Sequence, residues 1–135
     1  KGLMTDYLQV EYDFDHMMNV PLIIHIPGET LGMEISTIGS QLDFYPTIAN
    51  IMGYPIEKGI IFGRDLNNLQ TTNYVFPVSF MKAGSVITED QVFEMSRDEI
   101  YEHSRAYDRK TREPVDINKF KSLSKSSPKL RNQRR

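Results

Sequence analysis

The chain has no cysteine and no tryptophan in its 135 residues. Without cysteine there can be no disulfide, no thiolate zinc site and no cysteine nucleophile; the cytosol and the outside of a bacterial cell both tolerate such a composition. Long apolar runs are missing as well. None approaches the roughly 20 residues of a membrane-spanning helix, and the opening residues KGLMTDYLQ lack the pattern of a signal peptide. A chain of this kind either is cytosolic or begins within a longer protein. Acid is missing from the basic C-terminal stretch. Residues 119–135 hold seven basic residues (Lys119, Lys121, Lys125, Lys129, Arg131, Arg134, Arg135) and no Asp or Glu, so residues 1–118 keep nine basic against 18 acidic ones. The overall charge of −2 conceals this asymmetry. KFKSLSKSSPKLRNQRR is rich in Ser and poor in large apolar groups, which predicts a disordered, solvated tail. The acidic remainder argues against nucleic acid as a main partner, because phosphate neutralisation needs a basic face.

What is present is ordinary in bulk: 39% hydrophobic and 25% charged residues, one globular domain or a fragment of one. LQVEYDFD (8–15) alternates Val10, Tyr12 and Phe14 with acids, the period of a half-buried strand. VPLIIHIP (20–27) is a continuous apolar run closed by Pro27-Gly28, which predicts a strand buried on both faces under helices. GSQLDFYPTIANIMGY (39–54) holds a complete helix grammar. Ser40 and Asp43 can cap the start, Pro46 falls near the first turn where a missing N–H costs nothing, and Leu42, Tyr45, Ile48, Ala49 and Met52 recur at helical spacing. Gly53 supplies the stop. IEKGIIFGRDL (56–66) reads as a connector. Beyond Asn67 the pieces YVFPVSF, SVITED, QVFEMS and IYEHSRAYDRKT are short, β-branched and aromatic, and TREP is the turn of a hairpin over 104–117. The expected architecture is α/β, an α+β fragment divided into 1–66, a small antiparallel β subdomain over 67–118, and the basic tail 119–135.

Candidate chemistry is sparse. Asp13, Asp15 and His16 form the only tight group of hard and imidazole donors, but on a strand Asp13 and Asp15 share a face that His16 leaves, so a solvated acidic face is the better reading. His25, inside the apolar run, reads as a hydrogen-bonded core histidine. Glu102, His103 and Ser104 invite a serine–histidine–acid relay, which neighbours on one strand cannot form because they point to opposite faces. Thr37 and Thr47 have no adjacent base, and GIIFGRD lacks the glycine spacing of a phosphate loop. No residue is assigned a catalytic, cofactor-binding or metal role.

Three segments together resemble the C-terminal part of sulfatase and alkaline-phosphatase superfamily enzymes, closest to the lipoteichoic acid synthase-like phosphoglycerol transferases. NVPLIIHIPG (19–28) looks like a late core strand ending in a Pro-Gly turn. Asp43, Pro46 and Thr47, with Gly53 closing, are similar to the family's Asp-x-x-Pro-Thr helix. FGRDL (62–66) resembles the Gly-x-(Ser/Asp)-Leu element that follows, and Tyr74 to Ile117 looks like the small C-terminal sheet. The resemblance implies a parent that is membrane-anchored and extracellular, uses Mn²⁺ or another divalent metal, and attacks a phosphate or sulfate ester through a threonine or related nucleophile. The nucleophile and an Asp-His metal pair in a Gly-Asp-His motif would lie upstream. Asp15-His16 lacks the preceding Gly and sits four residues from the strand, so the metal role is not carried onto it. On this reading the chain is a catalytically incomplete scaffold whose partner is the missing N-terminal portion of the same polypeptide, which also supplies the only membrane contact. With that portion absent, self-association through 20–27 or 42–52 is expected. A phosphatase or sulfatase parent of the same fold, and a free-standing binding module for anionic cell-envelope polymer or lipid, are the alternatives.

Overall fold

A computed structural model describes residues 2–9, 11–56, 63–68, 73–77 and 79–127. The chain forms two compact units, 1–36 and 37–135.

In the first unit, helix α1 spans Gly2–Leu8 and helix α2 spans Phe14–Met18. The expected strand over 8–15 is therefore absent among the described residues. The reason is local. The Asp13 carboxylate accepts from the Phe14 N–H at 2.9 Å, its carbonyl accepts from His16 and Met17 N–H, and the Thr5 hydroxyl accepts from Tyr12 N–H at 3.1 Å. Side-chain capping of this kind outcompetes an extended segment with no neighbouring strand to pair with. VPLIIHIP also forms no strand here, and it is exposed throughout, Val20 by 72% and Ile23 by 85%. Ile24 and His25 are thus surface residues in this chain rather than core ones. A strand needs partners for its backbone N–H and C=O groups, and no described residue of this chain supplies them. The Pro27-Gly28 turn does form: Glu29 N–H donates to Ile26 C=O at 3.2 Å, with Gly28 at φ 93° as a type II turn requires.

The second unit opens with the expected helix. A short 3-10 turn over Gln41–Asp43 leads into α3, Phe44–Ile51. Gly53 (φ 69°) ends it: its N–H donates to Asn50 C=O at 3.0 Å and Tyr54 N–H to Ala49 C=O at 2.9 Å, a Schellman pair. Four strands follow, β1 Tyr74–Val75, β2 Val86–Thr88, β3 Gln91–Glu94 and β4 Arg105–Asp108, antiparallel in sequence order. The register sets Val86 opposite Phe93 and Phe93 opposite Ala106, with Ile87, Val92 and Tyr107 alternating onto the other face. Both faces are covered, since Val92 and Phe93 have no exposed surface. The hairpin at TREP is present, with Asp108 N–H donating to Glu113 C=O and Val115 N–H to Ala106 C=O, both 2.9 Å.

The tail departs from expectation in its first half. Residues 117–120 form a 3-10 turn capped by Asp116, and α4 spans Lys121–Ser126. Phe120 is 3% exposed and stacks on Phe93 at 5.5 Å. Ser127 Oγ accepts from Gly84 N–H at 3.1 Å. Composition misjudges this segment because two of its few apolar residues, Phe120 and Leu123, are three apart and both face the sheet. Residues 128–135 lie outside the described residues.

Candidate functional site

The densest polar arrangement joins α3 to residues 63–66. Asp43 is 3% exposed, and its two carboxylate oxygens divide their work. Oδ2 accepts from Ser40 N–H at 2.7 Å and Ser40 Oγ at 3.1 Å, and Oδ1 accepts from Arg64 N–H at 2.7 Å. The Arg64 guanidinium lies 3.7 Å from Oδ2 and donates to Ile38 C=O at 3.0 Å. Thr47, also buried, donates from Oγ1 to Asp43 C=O at 2.6 Å and accepts from Leu66 N–H at 3.0 Å. Asn50 donates to Asp65 at 2.7 Å. The oxygens of this knot are engaged by backbone and side-chain donors of both stretches. Thr47 therefore acts as a tie between helix and loop.

Gly63 shows how closely the two stretches approach. A Cβ there would fall 1.9 Å from Leu42 O and 2.8 Å from Asp43 N, so only glycine admits the backbone contact. The Asp-x-x-Pro-Thr and Gly-Arg-Asp-Leu stretches thus form one hydrogen-bonded unit, which sequence reading treats as two separate elements. Phe62, the first residue of the second stretch, lies outside the described residues.

Asp13, Asp15 and His16 are placed on and beside α2. Asp13 caps the helix, His16 stacks on Tyr12 at 5.7 Å, and its Nδ1 is 3.8 Å from Asp15 Oδ1. Asp13 and Asp15 are each 3% exposed. Among the described residues no group of three His, Asp or Glu side chains could hold a metal ion. Asp13 Oδ1 is engaged by the Phe14 N–H, and the imidazole face lies against Tyr12.

Glu102, His103 and Ser104 do not form a relay. His103 instead meets Asp98, Nδ1 to Oδ2 at 2.7 Å, while Ser104 Oγ accepts from Ser96 N–H at 3.1 Å. Asp98 also accepts from Ser96 Oγ and from Ile100 N–H. The Ser96-x-Asp98 spacing, typical of side chains that bond backbone two residues on, was the sequence signal for this loop. These bonds, His103 first, hold the Asp98 carboxyl well below its ordinary value of 3.8. A depressed folded value means that the clasp is intact above the ordinary carboxylate range and is lost only as pH falls through the lower folded value. We expect the Asp98 carboxyl NMR signal to remain that of the ionised form at pH 3, and to return toward ordinary titration in His103→Ala. A midpoint near 4 in the unsubstituted chain would show that the clasp does not form in solution.

No family model matches the chain. The chain is 38% identical over 85 residues to the lipoteichoic acid synthase-like protein YvgJ of Bacillus subtilis strain 168, a match covering 61% of this chain and 13% of that protein. It is also similar in fold to the crystal structure of the lipoteichoic acid synthase LtaP from Listeria monocytogenes. There the TM-score is 0.58 and the identity 26%, over 80% of this chain and 29% of that one. The chain thus spans a small part of the length of each relative it matches.

Proposed function

We propose that this chain, a C-terminal part of a lipoteichoic acid synthase-like protein of the sulfatase superfamily, is the scaffold portion of a membrane-anchored, extracellular phosphoglycerol transferase and is catalytically incomplete alone. The nucleophile and the ligands of a divalent metal, Mn²⁺ or a similar ion, are assigned to the rest of the polypeptide. Such a metal lowers the pKa of a nucleophile and neutralises charge on the transferring group. The contribution of this chain is structural: Asp43, Thr47 and Arg64 fix α3 against 63–66. No described helix is long and apolar enough to cross a membrane; the proposed anchor is assigned, like the nucleophile, to the rest of the polypeptide.

The observation that carries this reading is the bare apolar run. Val20, Leu22, Ile23 and Ile26 are 40–85% exposed in a row, a contiguous surface that soluble domains normally cover. A relative of which the matched 85 residues are 13% has ample polypeptide to cover it.

Activity assays on two proteins test the proposal: the 135-residue chain, and the same chain joined to the polypeptide encoded upstream of Lys1. With Mn²⁺ and phosphatidylglycerol, the joined protein is expected to release diacylglycerol and the chain alone none. Calorimetry should likewise show no stoichiometric Mn²⁺ binding to the chain alone. Turnover by the chain alone, or micromolar Mn²⁺ binding that disappears in Asp15→Ala, overturns the assignment. Release of glycerol phosphate to water rather than to a growing polymer would make the parent a hydrolase of the same fold.

A further inference from the structure

The exposed run at 20–26 has two backbone edges, and they differ. No backbone bond joins Val20 to His25 to another described residue, and Ile26 C=O accepts the Glu29 N–H of the turn. Extended backbone is favoured locally. Asn19 sits at φ −80° and ψ 95°, and Pro21 and Pro27 hold Val20 and Ile26 out of the helical region. In an extended segment the N–H and C=O of one residue point to one edge, and those of the next residue point to the other. One edge therefore carries Leu22, Ile24 and Ile26, each with its N–H. The other carries Pro21, Ile23, His25 and Pro27, and at both its ends the donor is missing. Proline placed in this way blunts the edge of a sheet. The run has one edge fit for pairing.

We propose that this edge takes the same edge of a second copy of the chain, antiparallel about Ile24. Ile24 then faces its counterpart and Leu22 faces Ile26 of the other copy, each pair exchanging N–H···O=C bonds. Ile26 C=O keeps a second lone pair beside the one engaged by Glu29. Pro21 falls opposite Pro27 of the other copy at a non-hydrogen-bonded position, where no donor is needed. A copy stacked by translation would instead meet the proline edge. Charge permits the approach. Residues 17–28 contain no Asp, Glu, Lys or Arg, so no like acidic or basic charges meet across the pair. The side chains, apolar and exposed on both faces of the run, gain cross-strand neighbours of their own kind. Symmetry closes the assembly at two, because only the two proline edges are left facing outward. The proposal concerns the 135-residue chain by itself and does not depend on what the rest of the polypeptide catalyses.

A two-stranded ribbon is marginal in water, so the dimer is expected at about 1 mM chain and the monomer at about 10 μM. Analytical ultracentrifugation of the 135-residue chain over that range measures it. Ile24→Pro removes a donor from the pairing edge and is expected to weaken dimerisation at least about tenfold. Ile23→Pro loses the same side chain but only an outward N–H, and should dimerise within about twofold of the unsubstituted chain. Both positions are exposed, so neither variant should move the thermal melt. At the higher concentration, amide exchange should slow at Leu22, Ile24 and Ile26 and stay unchanged at Ile23 and His25. A chain that remains monomeric throughout overturns the proposal. So does equal weakening by the two prolines, which would assign association to side-chain burial without an edge. No weakening by either would move the contact elsewhere, α3 included, and would overturn it too. Growth past a dimer would mean that the proline edge also pairs and would reject the closed two-fold contact. Activity is read in none of these measurements, so failure here and failure of the proposed function are distinguishable.

Discussion

Phe120→Ala is expected to lower the unfolding free energy of the chain by about 3–5 kcal/mol, the range for emptying a buried aromatic site. Phe120 is 3% exposed and belongs to the cluster of Val86, Phe93 and Ala106. Its ring stacks on Phe93, which also stacks on Tyr101 at 5.2 Å. The Tyr101 hydroxyl donates to Ile117 C=O, so the turn carrying Phe120 is tied to the same aromatic group. Collapse of the cavity is hindered because Gly84, beneath α4, is already in contact: a Cβ there would lie 2.8 Å from Met95 Cε and 3.2 Å from Ser124 Oγ. Deleting residues 119–135 should therefore cost at least as much as the point substitution. Denaturant melts followed by circular dichroism check both. A loss below about 1 kcal/mol for the deletion would mean that the C-terminal segment leaves the sheet in solution.

Asp43→Ala is the second large effect, about 3–5 kcal/mol, in the range for breaking a buried, hydrogen-bonded charge pair. The substitution strands the Ser40 and Arg64 N–H groups and leaves the Arg64 guanidinium without its carboxylate. An unmet buried donor costs about 1–3 kcal/mol, so the loss is the sum of several unmet groups more than the ion pair itself, which at 3.7 Å and with Arg64 partly exposed is a weak contributor. Gly63→Ala probes the same junction without touching charge. Its methyl group would have to displace the Leu42 carbonyl, and a comparable loss is expected. If Asp43→Ala melts within about 1 kcal/mol of the unsubstituted chain, the knot is not formed; if only Gly63→Ala is silent, the backbone approach is looser than 1.9 Å implies.

Local chemistry was well legible. Ser40, Asp43, Pro46 and Gly53 occupy the cap, first-turn and stop positions that their types require, because capping and left-handed backbone depend on a few adjacent residues. The short strands and the TREP hairpin were legible for the same reason: alternation and turn residues act over four to eight positions. The region 8–15 was misread since its alternation competes with a capping Asp13, and the winner depends on whether a neighbouring strand exists.

The sequence by itself determined the helix at 44–51, the four-strand meander, the Pro27-Gly28 turn and the strong separation of charge along the chain. Tertiary structure alone decided three further matters. It merged the Asp43 and Gly63 stretches into one knot, because hydrogen bonds across about 20 positions leave no periodic mark in either segment. It drew residues 117–127 onto the sheet, because one Phe at the right height can outweigh a polar composition. And it left VPLIIHIP exposed, because burial belongs to a pair of surfaces and no described residue supplies the second.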